Sequence, residues 1–384
     1  MTVTSRTRIA VVHDAMVEYA GSERVLAEIL RCFPQADLFA PLDHLPETGR
    51  AALGGRRAST TFMQRLPGVA SKLGYYLPLM PLAIEQLDVT GYDLVISSSH
   101  SVAKGVIVSP DALHISYVYS PMRYAWDQQF SYLRDGHVGG GIRGALLRWV
   151  LHRLRIWDHR TAAGVDRFVA DSRFVARRIL KAYRRHADVI YPPVETARFT
   201  PGDRHGDSYV TVSRLMPYKR IDLLAQAFAG MPDRRLVVIG GGPQLERFRS
   251  AAPPNVEFAG HLPEDAVRAQ LQQARAFLFA AVEDFGIAPV EAMACGTPVI
   301  ALRRGGAAET VVGLDAPEPT GVFFGEQTPA SVVAAVRKFE AEGQAITPDA
   351  CRRRAQQFSV ERFRAEFTAY VERAYAEWTS AGTR

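Results

Sequence analysis

Two glutamates bracket the segment Glu283-Asp-Phe-Gly-Ile-Ala-Pro-Val-Glu291, which combines groups suited to two kinds of ligand. It follows an apolar run, Ala276–Phe279, and from Ile287 it takes on a helical pattern up to Cys295-Gly296. Glu283 is therefore expected in the loop at a strand end, and Glu291 early in the following helix, turned back toward the same place. Gly286 permits close backbone approach to a ligand. The first amides of a helix lack internal partners and, with the helix dipole, attract an anion. Carboxylates on either side of an anion site suit a sugar nucleotide. The diphosphate takes the amides, and each carboxylate accepts hydrogen bonds from sugar hydroxyls. The spacing alone is common by chance, so its neighbours must decide.

Those neighbours are basic and glycine-rich. In Val212-Ser-Arg214-Leu-Met-Pro-Tyr-Lys219-Arg220, a strand ends and cations follow. Arg214 and Lys219 can neutralise a diphosphate and support its departure, the electrostatic task a bound metal performs elsewhere. Val238-Ile-Gly240-Gly-Gly-Pro243 is a glycine-rich turn, weaker than the dinucleotide fingerprint. Ala259-Gly260-His261 ends another strand, where His261 can edge a nucleobase.

Loops of this kind need a scaffold of strands. Short apolar runs alternate with amphipathic segments along most of the chain. The strand candidates in the first half are Ile9–Val12, Leu94–Ser97, Val106–Val108, Ile115–Tyr119, Arg167–Ala170 and Val189–Tyr191. Those in the second half are Tyr209–Val212, Leu236–Ile239, Val256–Ala259, Ala276–Phe279, Val299–Ala301 and Val322–Phe324. The alternation predicts an α/β protein of two doubly wound, Rossmann-like domains facing a cleft. The first is expected over 1–194 and the second over 195–359, with a linker from Pro192 to Gly206. A helix over about 360–384 is expected to pack back on the first domain.

Composition narrows the classes. The chain has 384 residues, and 46 Lys and Arg against 40 Asp and Glu leave a net charge of +6. That balance is mild for the length, and no nucleic-acid module is recognisable, so a nucleic-acid-binding protein is disfavoured. Three scattered cysteines, Cys32, Cys295 and Cys351, make neither a disulfide framework nor a four-ligand zinc site and fit a reduced cytoplasm. The N-terminal apolar run is too short for a signal peptide, and no window supports a membrane span. The loop after the first strand, His13-Asp14-Ala-Met, is wrong for a nicotinamide oxidoreductase. No lysine site for pyridoxal is evident, which argues against a phosphorylase of the same fold.

Taken in order, Arg214 and Lys219, the turn Gly240–Gly242, Phe258-Ala-Gly260 and Glu283 to Glu291 resemble the retaining glycosyltransferases of family four, which have the GT-B fold. Tyr19-Ala-Gly21-Ser-Glu23-Arg24-Val resembles that family's loop after the first strand. The resemblance implies a catalytic set of Glu283, His100, Arg214 and Lys219. Arg214 and Lys219 would hold the diphosphate, Glu291 the ribose hydroxyls and Glu283 the transferred sugar. Gly241, Phe285, Gly286 and the amides of Ile287 and Ala288 would close on the donor, with His261 near the base. Gly21 would let its loop approach the phosphate, and His100 matches the family histidine that contacts the donor sugar. Glu309, after Gly305-Gly306, fits a family variant with its role open.

Within the family, Tyr117-Val-Tyr119-Ser-Pro-Met-Arg123-Tyr124-Ala-Trp126-Asp127 resembles a stretch of the O-antigen-type mannosyltransferases. The chain departs from that stretch by carrying Val118 and Tyr119 where Cys and His are usual. The resemblance implies transfer of mannose from GDP-mannose, with retention and without a metal or other cofactor, to a glycan or a polyprenyl-diphosphate-linked acceptor. A UDP- or ADP-sugar donor is the alternative. Arg123 and Tyr124, together with Asp14 and Glu18 in the loop after the first strand, are expected to touch the acceptor. Ile142 to Arg160 reads as a basic amphipathic helix, with Arg148, His152, Arg155 and His159 on one stripe and Leu146, Val150, Leu154 and Trp157 opposite. With the stretch Phe62 to Leu82, it suits contact with an anionic membrane, placing the protein in the cytoplasm at the inner face of the membrane.

Overall fold

The computed structural model describes residues 3–4, 6–135, 140–202, 206–242 and 244–381. Pro243 of the glycine turn, residues 203–205 of the expected linker and 382–384 of the tail lie outside the described residues. The chain divides into two compact units, Met1–Tyr191 with Phe363–Arg384, and Pro192–Arg362. The division falls at the Pro192-Pro193 pair. Val194 already belongs to the second unit, its amide donating to the Phe358 carbonyl at 2.9 Å.

The first unit is built on six parallel strands, β1 (Ile9–His13), β2 (Asp37–Phe39), β3 (Leu94–Ser99), β4 (Leu113–Val118), β5 (Arg167–Ala170) and β6 (Asp188–Val189), in the order β2-β1-β3-β4-β5-β6. Side chains alternate across a strand, so β1 feeds two cores. Ile9 and Val11 pack with Leu26 and Ile29 of helix Gly21–Cys32, whereas Ala10 and Val12 pack with Met80, Ile84, Leu151 and Leu154. Such near-continuous apolar strands are what a parallel sheet covered on both faces requires. Helix Val360–Ala381 returns to the first of these cores, burying Phe363, Phe367, Val371 and Ala374 beside Tyr117.

Two strands depart from the sequence reading. Val106–Val108 is not a strand, because the residues before it are drawn into a tight turn by the Asp14 carboxylate and the chain rejoins the sheet only at Leu113. β2 was not anticipated, since three residues carry too little alternation to read.

The second unit repeats the plan with β7 (Tyr209–Val212), β8 (Leu236–Ile239), β9 (Val256–Gly260), β10 (Ala276–Phe279), β11 (Val299–Leu302) and β12 (Gly321–Phe324), all parallel, in the order β12-β11-β10-β7-β8-β9. The helices begin where local chemistry allows. The Thr328 and Thr347 side chains accept from the amides of Ser331 and Ala350, each with a proline at the next position.

Candidate functional site

In the second unit the expected donor residues sit in the loops after β7, β8, β9 and β10. Lys219 ends a short 3-10 turn, Pro217–Lys219, and Arg220 then adopts a left-handed conformation (φ 55°) that redirects the chain into helix Ile221–Ala229. Lys219 forms an ion pair with Glu283 from the loop after β10, and each side chain keeps 16% of its surface exposed. Two residues far apart in sequence thus meet at one spot. Arg214 is exposed on the same loop as Lys219. Gly286 takes φ 88° and opens helix Ile287–Ala294, whose first amides belong to Ile287 and Ala288; Pro289 has none to offer. Glu291 is buried in that helix one turn before Cys295. Burial, with the Glu291 charge next to it, pushes the Cys295 thiol up to about 12, so this cysteine is inert. Phe285, expected at the donor, is buried edge-to-face on Phe358, with ring centroids 5.5 Å apart. His261 is exposed at the end of β9.

The glycines are explained by backbone contact. A Cβ on Gly240 would collide with the Ser213 carbonyl, and one on Gly242 with the Leu215 backbone. The Leu215 amide donates to the Gly241 carbonyl at 2.9 Å. The turn therefore presses against the Arg214 loop from behind, and only Gly241 has open space around its α-carbon. A second pair does the same for the other loop. Side chains on Gly305 and Gly306 would strike the backbone of Glu283 and Phe285, and the Gly306 amide donates to the Glu283 carbonyl at 2.9 Å. Sequence reasoning noted Gly305-Gly306 without seeing this role; a glycine pair two residues past a strand was the available signal.

In the first unit two adjacent residues at the end of β1 hold two loops. The buried Asp14 carboxylate accepts from four amides, those of His100, Ser101, Val102 and Ala103, at 2.6, 2.9, 2.7 and 2.9 Å. Burial alone would raise its pKa, but the charges of His100 and His13 and the amides of His100 and Val102 hold it below the usual carboxylate value. Asp14, expected at the acceptor, clamps the turn that carries His100. The His100 imidazole remains 44% exposed, with Nδ1 3.7 Å from the Asp14 carboxylate. The neighbouring His13 is fully buried between Ser98 (3.0 Å) and Glu23 (3.4 Å), and Glu23 accepts from the Ala20 amide at 3.0 Å. His13 and Glu23 were missed as site-forming residues; the spacing of Ala20 and Glu23, half of a capping box, was the legible hint. Gly21 opens the helix beside them. Glu18 is exposed, Arg123 is half-buried, and the Tyr124 hydroxyl meets Ser101 Oγ at 2.7 Å.

Helix Gly141–Thr161 orients differently from the expected amphipathic arrangement. Its buried face is Gly144, Leu151, Leu154 and Asp158. Asp158 pairs with the buried Lys104 at 2.6 Å and accepts from Trp126 and Tyr183. Arg155 and His159, expected on the free basic stripe, instead bond the carbonyls of Ala125 and Ala182 at 2.7 and 2.9 Å. Of the expected apolar stripe, Leu154 is buried whereas Leu146 is 61% exposed, in line with Ile142, Trp149 and Ile156. Among the described residues no group of three or more His, Cys, Asp or Glu is placed to hold a metal ion, and no helix is long and apolar enough to cross a membrane.

Two doubly wound parallel sheets in separate units of one chain define the GT-B class of glycosyltransferase fold. Residues 198–358, within the second unit, match the family of glycosyl transferases group 1. Among curated relatives, a D-inositol 3-phosphate glycosyltransferase of Geodermatophilus obscurus is 32% identical over 60% of this chain and 57% of its own length. A GDP-mannose-dependent alpha-(1-6)-phosphatidylinositol monomannoside mannosyltransferase of Mycolicibacterium smegmatis is 33% identical over 46% of this chain and 53% of its own. The chain thus spans about half the length of the curated relatives it matches. Among solved structures, Anabaena HepE in complex with UDP superposes with a TM-score of 0.69 at 17% identity, covering 95% of this chain and 99% of that one. Sucrose-phosphate synthase of Thermosynechococcus elongatus gives 0.70 at 18% identity, covering 97% and 100%. At such identities these two likenesses concern the fold.

Proposed function

We propose that the chain is a retaining, metal-independent glycosyltransferase that moves mannose from GDP-mannose to a hydroxyl of a lipid-linked saccharide or other glycan. The observation that carries this reading is the Lys219–Glu283 pair, set beside the Gly286 helix start within the family-matched unit. In the reaction the Lys219 ammonium and Arg214 take the diphosphate, and Glu283 receives hydroxyls of the sugar. As the bond from the anomeric carbon to the diphosphate breaks, the departing phosphate oxygen accepts the proton of the acceptor hydroxyl, whose oxygen bonds the carbon on the same face. The two cations stabilise the charge growing on the leaving group. For the first unit the resemblance adds His100 and Gly21 for the donor and Arg123, Tyr124 and Glu18 for the acceptor. Mannose and guanine are supported by the O-antigen-type resemblance and by the name of the mycobacterial relative, and the UDP in the HepE structure supports the alternative donor.

The test is thermal unfolding with GDP, UDP or ADP, each with and without EDTA. A ligand at 100 times its dissociation constant stabilises by roughly 2.7 kcal/mol. A shift with GDP alone, indifferent to EDTA, is expected. A shift only with UDP or ADP replaces the donor, and no shift with any of them overturns the reading.

A lipid-linked acceptor also calls for a membrane surface, and the exposed residues of the first unit suit one. Ile142, Leu146, Trp149 and Ile156 are 88, 61, 59 and 50% exposed along one helix, among exposed Arg143, Arg148, Arg153 and Arg160. Tyr75, Leu79 and Leu82 are exposed on the segment that shares a core with this helix. Apolar side chains within a cationic rim enter the headgroup region of an anionic leaflet. Co-sedimentation with phosphatidylglycerol vesicles but not with phosphatidylcholine vesicles, lost in Trp149→Glu, is the expected outcome for a protein working at the cytoplasmic face.

A further inference from the structure

We infer that the hydrogen-bond chain beneath the Tyr19–Glu23 turn holds His13 as an imidazolium, with a proton on each ring nitrogen, and that this buried cation is a positioning residue for the turn. The functional half of the inference rests on the glycosyl transfer proposed above; the protonation half stands on geometry alone.

Each hydroxyl in the chain has one proton to give. The Tyr119 hydroxyl donates to the Ser22 carbonyl at 3.0 Å, and a carbonyl can only accept. The 2.8 Å contact between Tyr119 and Ser98 must then be donated by Ser98. With the Ser98 proton committed, its 3.0 Å contact to His13 Nδ1 requires a proton on Nδ1. On the far side of the ring, Nε2 stands 3.4 Å from Glu23 Oε1. Glu23 also accepts from the Ala20 amide and the Ser22 hydroxyl, each at 3.0 Å. Burial opposes its charge, but the His13 hydrogen bond and charge, His100 and the Ala20 amide together hold its pKa at about 2, so it is an ionised acceptor. A neutral ring with its proton on Nδ1 would turn a lone pair toward that carboxylate. A second proton on Nε2 converts the repulsion into a charge-assisted hydrogen bond.

The charged groups around the ring come from every neighbouring element. Glu23 lies on helix Gly21–Cys32 and Asp14 follows His13 at the end of β1. The His100 ring is edge-on at 6.3 Å from the turn after β3, Tyr119 closes β4, and Asp171, after β5, acts on the Tyr119 hydroxyl. Two buried carboxylates, Glu23 and Asp14, thus stand beside one buried cation. The mechanical result is a turn fixed at both ends. Tyr119 holds the Ser22 carbonyl, Glu23 holds the Ala20 amide, and His13 holds Glu23. Tyr119 stands where the O-antigen-type stretch usually has histidine, so the phenol that directs the chain belongs to this protein's own departure from that pattern.

The experiment is NMR of the full chain labelled with 15N-histidine, with His13 assigned by its loss in His13→Gln. In the wild type both His13 ring nitrogens are expected to carry protons at pH 7. Tyr119→Phe lets Ser98 turn its proton toward Nδ1, so one ring nitrogen is expected to be without its proton at the same pH. Turnover of the variant should then fall below that of the wild type, while its GDP-induced thermal shift stays as in the wild type. Ser98→Ala, which removes the acceptor of the Nδ1 proton, is the second variant and should behave likewise if Tyr119→Phe does not fold. An unprotonated His13 nitrogen in the wild type at pH 7, or variants that keep both His13 protons there and turn over like the wild type, would overturn the inference. Failure of glycosyl transfer itself shows as absent turnover in the wild type and leaves the nitrogen spectra to be judged separately.

Discussion

Lys219 and Glu283 hold each other in an ion pair, and the proposed reaction gives each a different part of the donor. Removing a well-placed charged donor from a leaving-group site costs about 3 kcal/mol of transition-state stabilisation, or roughly a hundredfold in kcat. Lys219→Ala and Glu283→Ala are therefore expected to lose turnover by that order with far-ultraviolet circular dichroism retained; near-normal activity in either would remove it from the site. Glu23 carries a prediction of another kind. Its folded pKa of about 2 lies below the ordinary 4.5, so its contribution is complete above about pH 4.5 and is lost as pH falls toward 2. Denaturant unfolding over that acid range should show a shallower loss of stability in Glu23→Gln than in the wild type. The candidate cations and the two bracketing glutamates could be picked out because residue type and position after a strand suffice to suggest a diphosphate. The bonds of Asp14 could not: a carboxylate after a strand looks available, and its four amide donors come from a turn far along the chain.

Elements act here as backs for loops. The glycine-rich turn after β8 is by itself a weak signal for a nucleotide, and the structure shows two of its three glycines pressed on the backbone that carries Arg214. Gly240→Ala, which meets the Ser213 carbonyl and also needs a left-handed φ of 133°, should melt well below the wild type. Gly241→Ala, with open space, should melt close to it. Equal melting of the two variants would contradict the clamp. Alternating apolar runs made the long buried strands readable before any coordinates. They could not reveal β2, too short to show a period, or the facing of helix Gly141–Thr161, which is apolar on more than one side. There the buried Lys104–Asp158 pair sets which side turns inward, and long-range pairing leaves no mark on local periodicity.

At the scale of the molecule, the helix that returns from the second unit completes the first. Phe363 and Phe367 are fully buried and stack on each other with ring centroids 5.4 Å apart, both against Tyr117. Phe367→Ala is expected to destabilise the first unit by about 3–5 kcal/mol, seen as an earlier transition in calorimetry that leaves nucleotide-induced stabilisation of the second unit intact. The helix was visible in the sequence as a long amphipathic segment expected back on the first domain, but the residues it meets there were not, because any apolar stripe fits any bare face. Because this helix is translated after the whole second unit, the ribosome delivers the first unit without one of its covering helices. For the time taken to synthesise residues 192–362, that sheet must wait with an apolar face toward water, a nascent-chain interval in which a chaperone has something to hold.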